Sequence, residues 1–195
     1  MRVRACILIV IWLVRALYAD ELTWPSNSIY SLPALSLENQ LGRQENIASW
    51  SGHPYLLGMF YGSCQMVCPI EIEAIKTFED RFHAQGNPWI KVNLISFDSS
   101  HDQRTNLKQE ADQHHLNSAW YQLWRVKQGD LGYLAGVLGV TWRALPGGGF
   151  KHNAVVALMD SQGRVVAKTT ALALVHDESF LHAVQAQSSS VQGVP

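Results

Sequence analysis

Cys64 and Cys68 stand four positions apart, directly before a proline, in the stretch Cys64-Gln65-Met66-Val67-Cys68-Pro69. Thiolates this close do one of two kinds of chemistry: they close and open a disulfide, or they clip a soft metal ion. Cys-x-x-Cys is the usual redox spacing. The additional residue here widens the loop, so the sulfurs can pair or open around an ion. A disulfide that merely stapled the chain would close too short a loop to remove much unfolded-state entropy. Among soft metals, iron–sulfur clusters usually take four cysteines and structural zinc takes four protein ligands. Two thiolates with one further ligand suit three-coordinate copper(I).

Eight histidines could supply that ligand. His83 and His182 fall on predicted helices, and His53 and His176 in loops. His114 and His115 end a polar helix, where positive charge is favoured. His101 stands beside Asp98 and Asp102 and suits an ion pair. His152 differs from these. It follows Gly147-Gly148-Gly149 and leads into the apolar run Val155-Val156-Ala157-Leu158-Met159. A loop histidine next to a buried strand can be both held and mobile. It is a candidate ligand, with an ordinary structural role as the alternative.

The elements that must position these groups are legible around them. Tyr55 to Tyr61 is almost wholly apolar, as a strand buried on both faces is. After the cysteines, Pro69 opens a helix, since proline is favoured at a first helical position. Its apolar stripe is Ile70, Ala74, Ile75, Phe78 and Phe82; Glu71 and Glu73 suit the positive N-terminal end, and Gly86 is the stop. Peptide N–H groups at that helix start are expected to lower the thiol pKa. Leu35–Glu38 and Gln44–Ile47 flank Gly42 as a hairpin. Ile90–Ser96 and Trp120–Val126 read as strands, and Gln103–His115 and Asp130–Leu138 as helices. A second hairpin joins Val155–Met159 to Val165–Lys168, and Asp177–Gln185 is a last helix. The order predicts an α/β chain of thioredoxin-like fold: a mixed central sheet, helices on both faces, and an inserted hairpin or loop before the candidate metal histidine.

From about Leu35 to Leu172 the sequence resembles the SCO/SenC family. The resemblance rests on Phe60-Tyr61-Gly62-Ser63-Cys64-Gln65-Met66-Val67-Cys68-Pro69, on Ser96-Phe97-Asp98-Ser99-Ser100-His101-Asp102, on Leu138-Gly139-Val140, and on Phe150-Lys151-His152-Asn153 with Ala157-Leu158-Met159-Asp160 downstream. It implies a thioredoxin-like copper protein with Cys64 and Cys68 as thiolate ligands and His152 as the imidazole ligand. Asp98 matches a family acid near the cysteine loop and is expected to support the site from behind. The implied cargo is copper(I), with copper(II) as the other state. The implied partner is a cytochrome c oxidase subunit or another copper protein. The task is delivery of copper to the dinuclear copper centre of that oxidase, or its preparation by thiol–disulfide reduction. In the second case Cys64 attacks and Cys68 resolves. The chain departs from the family at Gln65 and Met66, where Pro and Asp are common, at Ser99 for Pro, at Lys151 for an acid, and at Asn153 for a small hydroxyl residue. Met66 offers a thioether near the metal or simply packs the loop.

The remaining features frame that reading. The 195 residues are 47% apolar with a formal net charge of -1, which suits one globular domain and lacks the basic stripe that nucleic-acid binding needs. Arg2 and Arg4, the apolar run Ala5–Val14 and Ala16-Leu17-Tyr18-Ala19 form a secretory signal pattern over residues 1–19. Its removal takes three arginines and Cys6, leaving 12 basic and 16 acidic residues. The expected organisation is a signal at 1–19, a lead-in at 20–34, the copper-binding domain at 35–186 and a polar tail at 187–195. The protein is then exported to the periplasm, and held at the inner membrane if the signal segment is retained.

Overall fold

The structure, a computed structural model, describes residues 24–64 and 67–192. The expected signal segment, Cys6 and Met66 lie outside those residues. In chain order the elements are β1 (Ser36–Asn39), β2 (Gln44–Asn46), β3 (Tyr55–Phe60), α1 (Val67–Ala84), β4 (Lys91–Ser96), α2 (Arg104–Gln113), β5 (Tyr121–Gln128), α3 (Leu131–Leu138), β6 (Trp142–Ala144), β7 (Phe150–His152), β8 (Val155–Met159), β9 (Val165–Thr170) and α4 (Glu178–Gln192). Seven strands form one mixed sheet in the order β2-β1-β5-β4-β3-β8-β9, and β6 pairs with β7 apart from it. The mixed sheet, the helices on both faces and the inserted hairpin are as expected, but His152, read as a loop residue, is the last residue of the hairpin's second strand.

Strand β3 is buried along its whole length, because both of its faces are covered. Leu56 and Phe60 meet Ile72, Ile75, Phe78 and Phe82 of α1, together with Leu107 of α2 and Phe180 and Val184 of α4. Tyr55, Leu57 and Met59 point the other way, toward Trp124 and toward Leu131, Leu134 and Leu138 of α3. Side chains alternate across a strand, so one short apolar run feeds two cores. Full burial of one such phenylalanine or leucine stabilises by about 1.5–3 kcal/mol. Asp130 caps α3 by accepting from Gly132 N–H.

Three local readings change. The helix begins at Val67, ahead of Pro69, so its buried stripe runs through Cys68, Glu71, Ile72, Ile75, Phe78, Glu79 and Phe82. Ile70 is 49% exposed instead; with the helix phase shifted, Glu71 takes the inward place. Helix α4 continues to Gln192, so residues read as the start of a polar tail extend a helix. The lead-in also belongs to the packed body: Ile29 and Tyr30 are buried in the α3 face, and Ile29 N–H donates to Gly163 O at 2.8 Å.

The topology decides where the functional groups meet. Strands β3 and β4 are parallel, so the cysteine loop after β3 and the turn after β4 emerge at one edge of the sheet. Strand β8 is antiparallel to β3, with Ala157 opposite Leu57 and Met159 opposite Tyr55. Its first residue therefore lies toward the end of β3, and the β6–β7 hairpin just before it hangs over the cysteines. Among the described residues no helix is long and apolar enough to cross a membrane.

Candidate metal centre

Cys64 closes the turn that leaves β3: its N–H donates to Tyr61 O at 3.2 Å. Helix α1 then starts so that Cys68 N–H donates to Cys64 Sγ at 3.3 Å. The positive end of the helix thus addresses Cys64. Cys68, in the first turn, points into the core and is 0% exposed, against 8% for Cys64. The two are not bridged.

His152 ends β7, directly opposite Trp142 of β6. Its Nδ1 lies 3.1 Å from the Asn153 carbonyl oxygen. A carbonyl only accepts, so Nδ1 is the donor in that contact and Nε2 is the ring nitrogen that faces the sulfurs. Nε2 lies 3.9 Å from Cys64 Sγ and 3.5 Å from Cys68 Sγ, and all three donor atoms fall within 4.8 Å of one another. Trigonal bonds of ~2.3 Å to sulfur and ~2.0 Å to nitrogen would place sulfur and nitrogen ~3.7 Å apart. The triangle fits one small soft ion with little rearrangement.

The imidazole is held in place. Asn153 Oδ1 accepts from Thr141 N–H at 2.8 Å, and Asn153 Nδ2 donates to Gly139 O at 2.9 Å, clamping the hairpin base to the end of α3. Aromatic rings enclose the histidine: Phe97 and Tyr61 have centroids 5.2 and 5.7 Å from it, and Trp142 stacks on Phe97 at 5.2 Å. Tyr61 also receives a hydrogen bond from Phe150 N–H at 3.3 Å. Tyr61, Phe97 and Trp142 carry no metal-ligand signal in the sequence; only their nearness to the cysteine loop, to Asp98 and to the histidine could have marked them.

Burial outweighs the helix end at Cys68. Loss of solvent pushes its thiol well up, and the neighbouring Cys64 and Glu71 add to the effect. The lowered thiol expected from the helix N-terminus is therefore not found at Cys68; the helix N–H serves Cys64 instead. An ion that replaces the proton would restore the thiolate there. Glu71 is 1% exposed, and neither carboxyl oxygen has a hydrogen-bond partner among the described residues. Burial, with Cys64 second, holds its pKa well above the ordinary range, which disfavours the charge that the sequence assigned to the helix dipole. A Cβ on Gly58 would lie 2.7 Å from Glu71 Oε1, so the acid reaches β3 only because that position lacks a side chain.

The two acids after β4 divide their roles. Asp98 Oδ1 pairs with His101 Nδ1 at 2.8 Å and accepts from Ser100 Oγ at 3.0 Å, and the pairing raises the His101 pKa. Asp102 is the acid bonded to the cysteine loop: its Oδ2 accepts from Gly62 N–H at 2.8 Å and from Ser96 Oγ. A Cβ at Gly62 would lie 2.7 Å from Asp102 Oδ1, so this close approach needs glycine. Of the sequence-predicted site residues, Cys64, Cys68 and His152 are brought together, and Asp98 is engaged with His101.

The family model described as SCO1/SenC matches residues 31–186. Among solved structures, the chain is similar to a SCO1/SenC family lipoprotein from Bacillus anthracis str. Ames, at 17% identity and TM-score 0.69 over 84% of this chain and 96% of that one. It is similar to Arabidopsis thaliana ScoI with copper bound, at 14% identity and TM-score 0.66 over 79% and 98%. A third neighbour is BsSco, a member of the Sco family of cytochrome c oxidase assembly proteins in which a disulfide switch was identified, at 16% identity and TM-score 0.66 over 85% and 96%. At such identities the likeness shows a shared fold. No curated protein sequence matches this one.

Proposed function

The chain belongs to the SCO1/SenC family, and on that premise we propose that it carries one copper ion on Cys64, Cys68 and His152 and passes it to a copper protein, with the dinuclear centre of cytochrome c oxidase as the recipient. The observation that carries this reading is the triangle of two sulfurs and one imidazole nitrogen within 4.8 Å. Its donors are soft, and two thiolates around a monovalent ion leave a single negative charge facing the helix N-terminus, which favours copper(I). Copper bound to the Arabidopsis neighbour and the assembly role of the Sco family named for BsSco support the cargo and the recipient. The chain is exported by its N-terminal segment and works at the outer face of a membrane; the lipoprotein neighbour supports that placement.

The test is anaerobic loading of the reduced protein with copper(I), followed by metal and thiol analysis. One copper per chain, with both thiols protected from alkylation, is the expected result. Retention of the full complement with unchanged affinity in His152→Ala would overturn the ligand assignment.

A second reading uses the same pair as a dithiol reductant, and the unequal exposure of the cysteines favours it. The Cys64 thiolate attacks a partner disulfide and expels one partner thiolate. The expelled partner thiolate takes the Cys68 proton, and Cys68 sulfur attacks Cys64 sulfur, releasing the second partner thiolate and leaving Cys64–Cys68 oxidised by two electrons. This reaction does not need His152, so a His152→Ala variant that keeps reductase turnover while losing copper separates the two.

A further inference from the structure

At the end of the sheet opposite the cysteines, a cleft of about 520 Å³ opens where β3, β4 and β5 begin. That volume suits a small organic molecule. Four of the chain's seven tryptophans line it, Trp50, Trp89, Trp120 and Trp124. Trp50 packs against Trp124 with centroids 5.2 Å apart, and Trp89 stacks on Trp120 at 6.3 Å. Trp124 is buried, whereas the other three are only half-buried. The polar groups here include donors that lack acceptors. Asn93 lines the cleft and is 5% exposed. Its Oδ1 accepts from Trp124 Nε1–H at 2.8 Å, which fixes the amide's orientation. Its Nδ2 is left with no acceptor among the described residues. Arg43 and Lys91 line the cleft as well, and neither side chain makes an ion pair or hydrogen bond among the described residues. Glu45, the acid in the wall, is engaged: its Oε2 accepts from Trp50 Nε1–H and from Ser49 Oγ, both at 3.1 Å. His53 stands exposed at the rim.

We propose that this cleft binds a planar aromatic carboxylate, with its ring against the tryptophans and its carboxylate drawn to Asn93 Nδ2 and to the Arg43 and Lys91 cations. A buried amide donor without an acceptor is costly, so the site favours an oxygen that accepts there. Two unpaired cations against one engaged acid favour an oxygen that carries negative charge. Indole faces favour a flat ring, which stacks offset or edge-on against them. A few placed polar groups in an aromatic wall are the ordinary composition of a small-molecule site. The cleft shares no residue with the triangle of Cys64, Cys68 and His152. The inference is therefore independent of the copper reading and adds a second ligand to it.

The test is calorimetric titration of the reduced full-length protein with naphthoate and with its neutral counterpart, naphthamide. Saturable binding of naphthoate is expected, at least about tenfold tighter than that of naphthamide, as charge-assisted hydrogen bonds imply. Lys91→Glu and Arg43→Glu should each remove most of that preference while leaving naphthamide affinity as it was. Asn93→Asp keeps an acceptor for Trp124 N–H and puts an oxygen in place of the free donor, so it should abolish naphthoate binding. Trp89→Ala should weaken both compounds about fivefold through lost ring contact. Circular dichroism checks that each variant folds, and the two exposed charge reversals keep the test decisive if Asn93→Asp does not. A Cys64→Ser/Cys68→Ser variant should bind naphthoate as the parent does; loss of binding there puts the anion at the cysteines and overturns the cleft. Equal affinity for the two compounds, naphthoate affinity unmoved by both charge reversals, or no saturable binding overturns it as well.

Discussion

Cys68 Sγ and His152 Nε2 lie 3.5 Å apart across 84 positions of chain. Neither residue could arrive there by local structure. Cys68 is fixed by the first turn of α1, and His152 by a hairpin whose partner strand carries Trp142. The meeting depends on β8 running antiparallel to β3, which returns the chain to the edge where the cysteine loop emerges.

The hairpin histidine is already turned toward the sulfurs, so its removal should cost affinity rather than folding. For His152→Ala we expect copper(I) affinity to fall by at least the ~10–100-fold that loss of a supporting partner costs at metal sites. Competition with a copper(I) chelator measures this, and an unchanged circular dichroism spectrum accompanies it. Unchanged affinity refutes the assignment.

Asp102 holds the cysteine loop through Gly62 N–H and Ser96. Asp102→Ala leaves that N–H without its acceptor, at a cost of about 1–3 kcal/mol. Amide exchange at Gly62 should accelerate well beyond that of the β3 core. Asp98→Ala, which releases His101 instead, should leave Gly62 exchange as it was.

Glu79 lies in the buried stripe of α1, and its carboxyl is pushed up from 4.5 to about 7, mainly by burial. The folded protein keeps this proton where the unfolded chain has released it. Between about pH 4.5 and pH 7 the unfolded state thus binds fewer protons, and stability falls as pH rises. The fall attributable to this group is roughly 3 kcal/mol at 1.36 kcal/mol per pKa unit. Denaturant titrations of Glu79→Gln across that window should show a flatter profile; an identical slope contradicts the assignment.

Gly58 and Glu71 share one small space. A methyl group on Gly58 would lie 2.7 Å from Glu71 Oε1 and 2.9 Å from Leu94 Cδ2, so Gly58→Ala should destabilise by about 1–3 kcal/mol. Shortening the acid in Gly58→Ala/Glu71→Ala should recover part of that loss. A double-mutant cycle is expected to give a coupling of at least ~0.5 kcal/mol; additivity would show that the two do not compete.

Some of this architecture was legible because its causes are local. The apolar run Tyr55–Tyr61 is a strand wherever it is placed, since only burial on both faces accommodates it. Asp130 caps α3 with its own side chain, and the turn at Gly42 needs only that residue's freedom at φ +82°. Other features were set by neighbours that sequence distance hides. Glu71 reads as a helix-start charge until the helix phase places it against Gly58. Asp98 is the acid that the resemblance marks near the cysteine loop; the turn after β4 gives the loop contact to Asp102. Residues from 187 on look like a tail by composition, yet as far as Gln192 they continue α4.

Sequence by itself marked the candidate donors, two thiols before a proline and one imidazole after a glycine-rich loop, together with most of the strands and helices that bracket them. Those follow from residue chemistry and from periodicity over a few turns. Tertiary structure decided which sulfur the helix end addresses, which acid braces the loop, and how an aromatic enclosure orients the imidazole. Each is a distance between segments far apart along the chain, set by strand direction and by packing against a shared core.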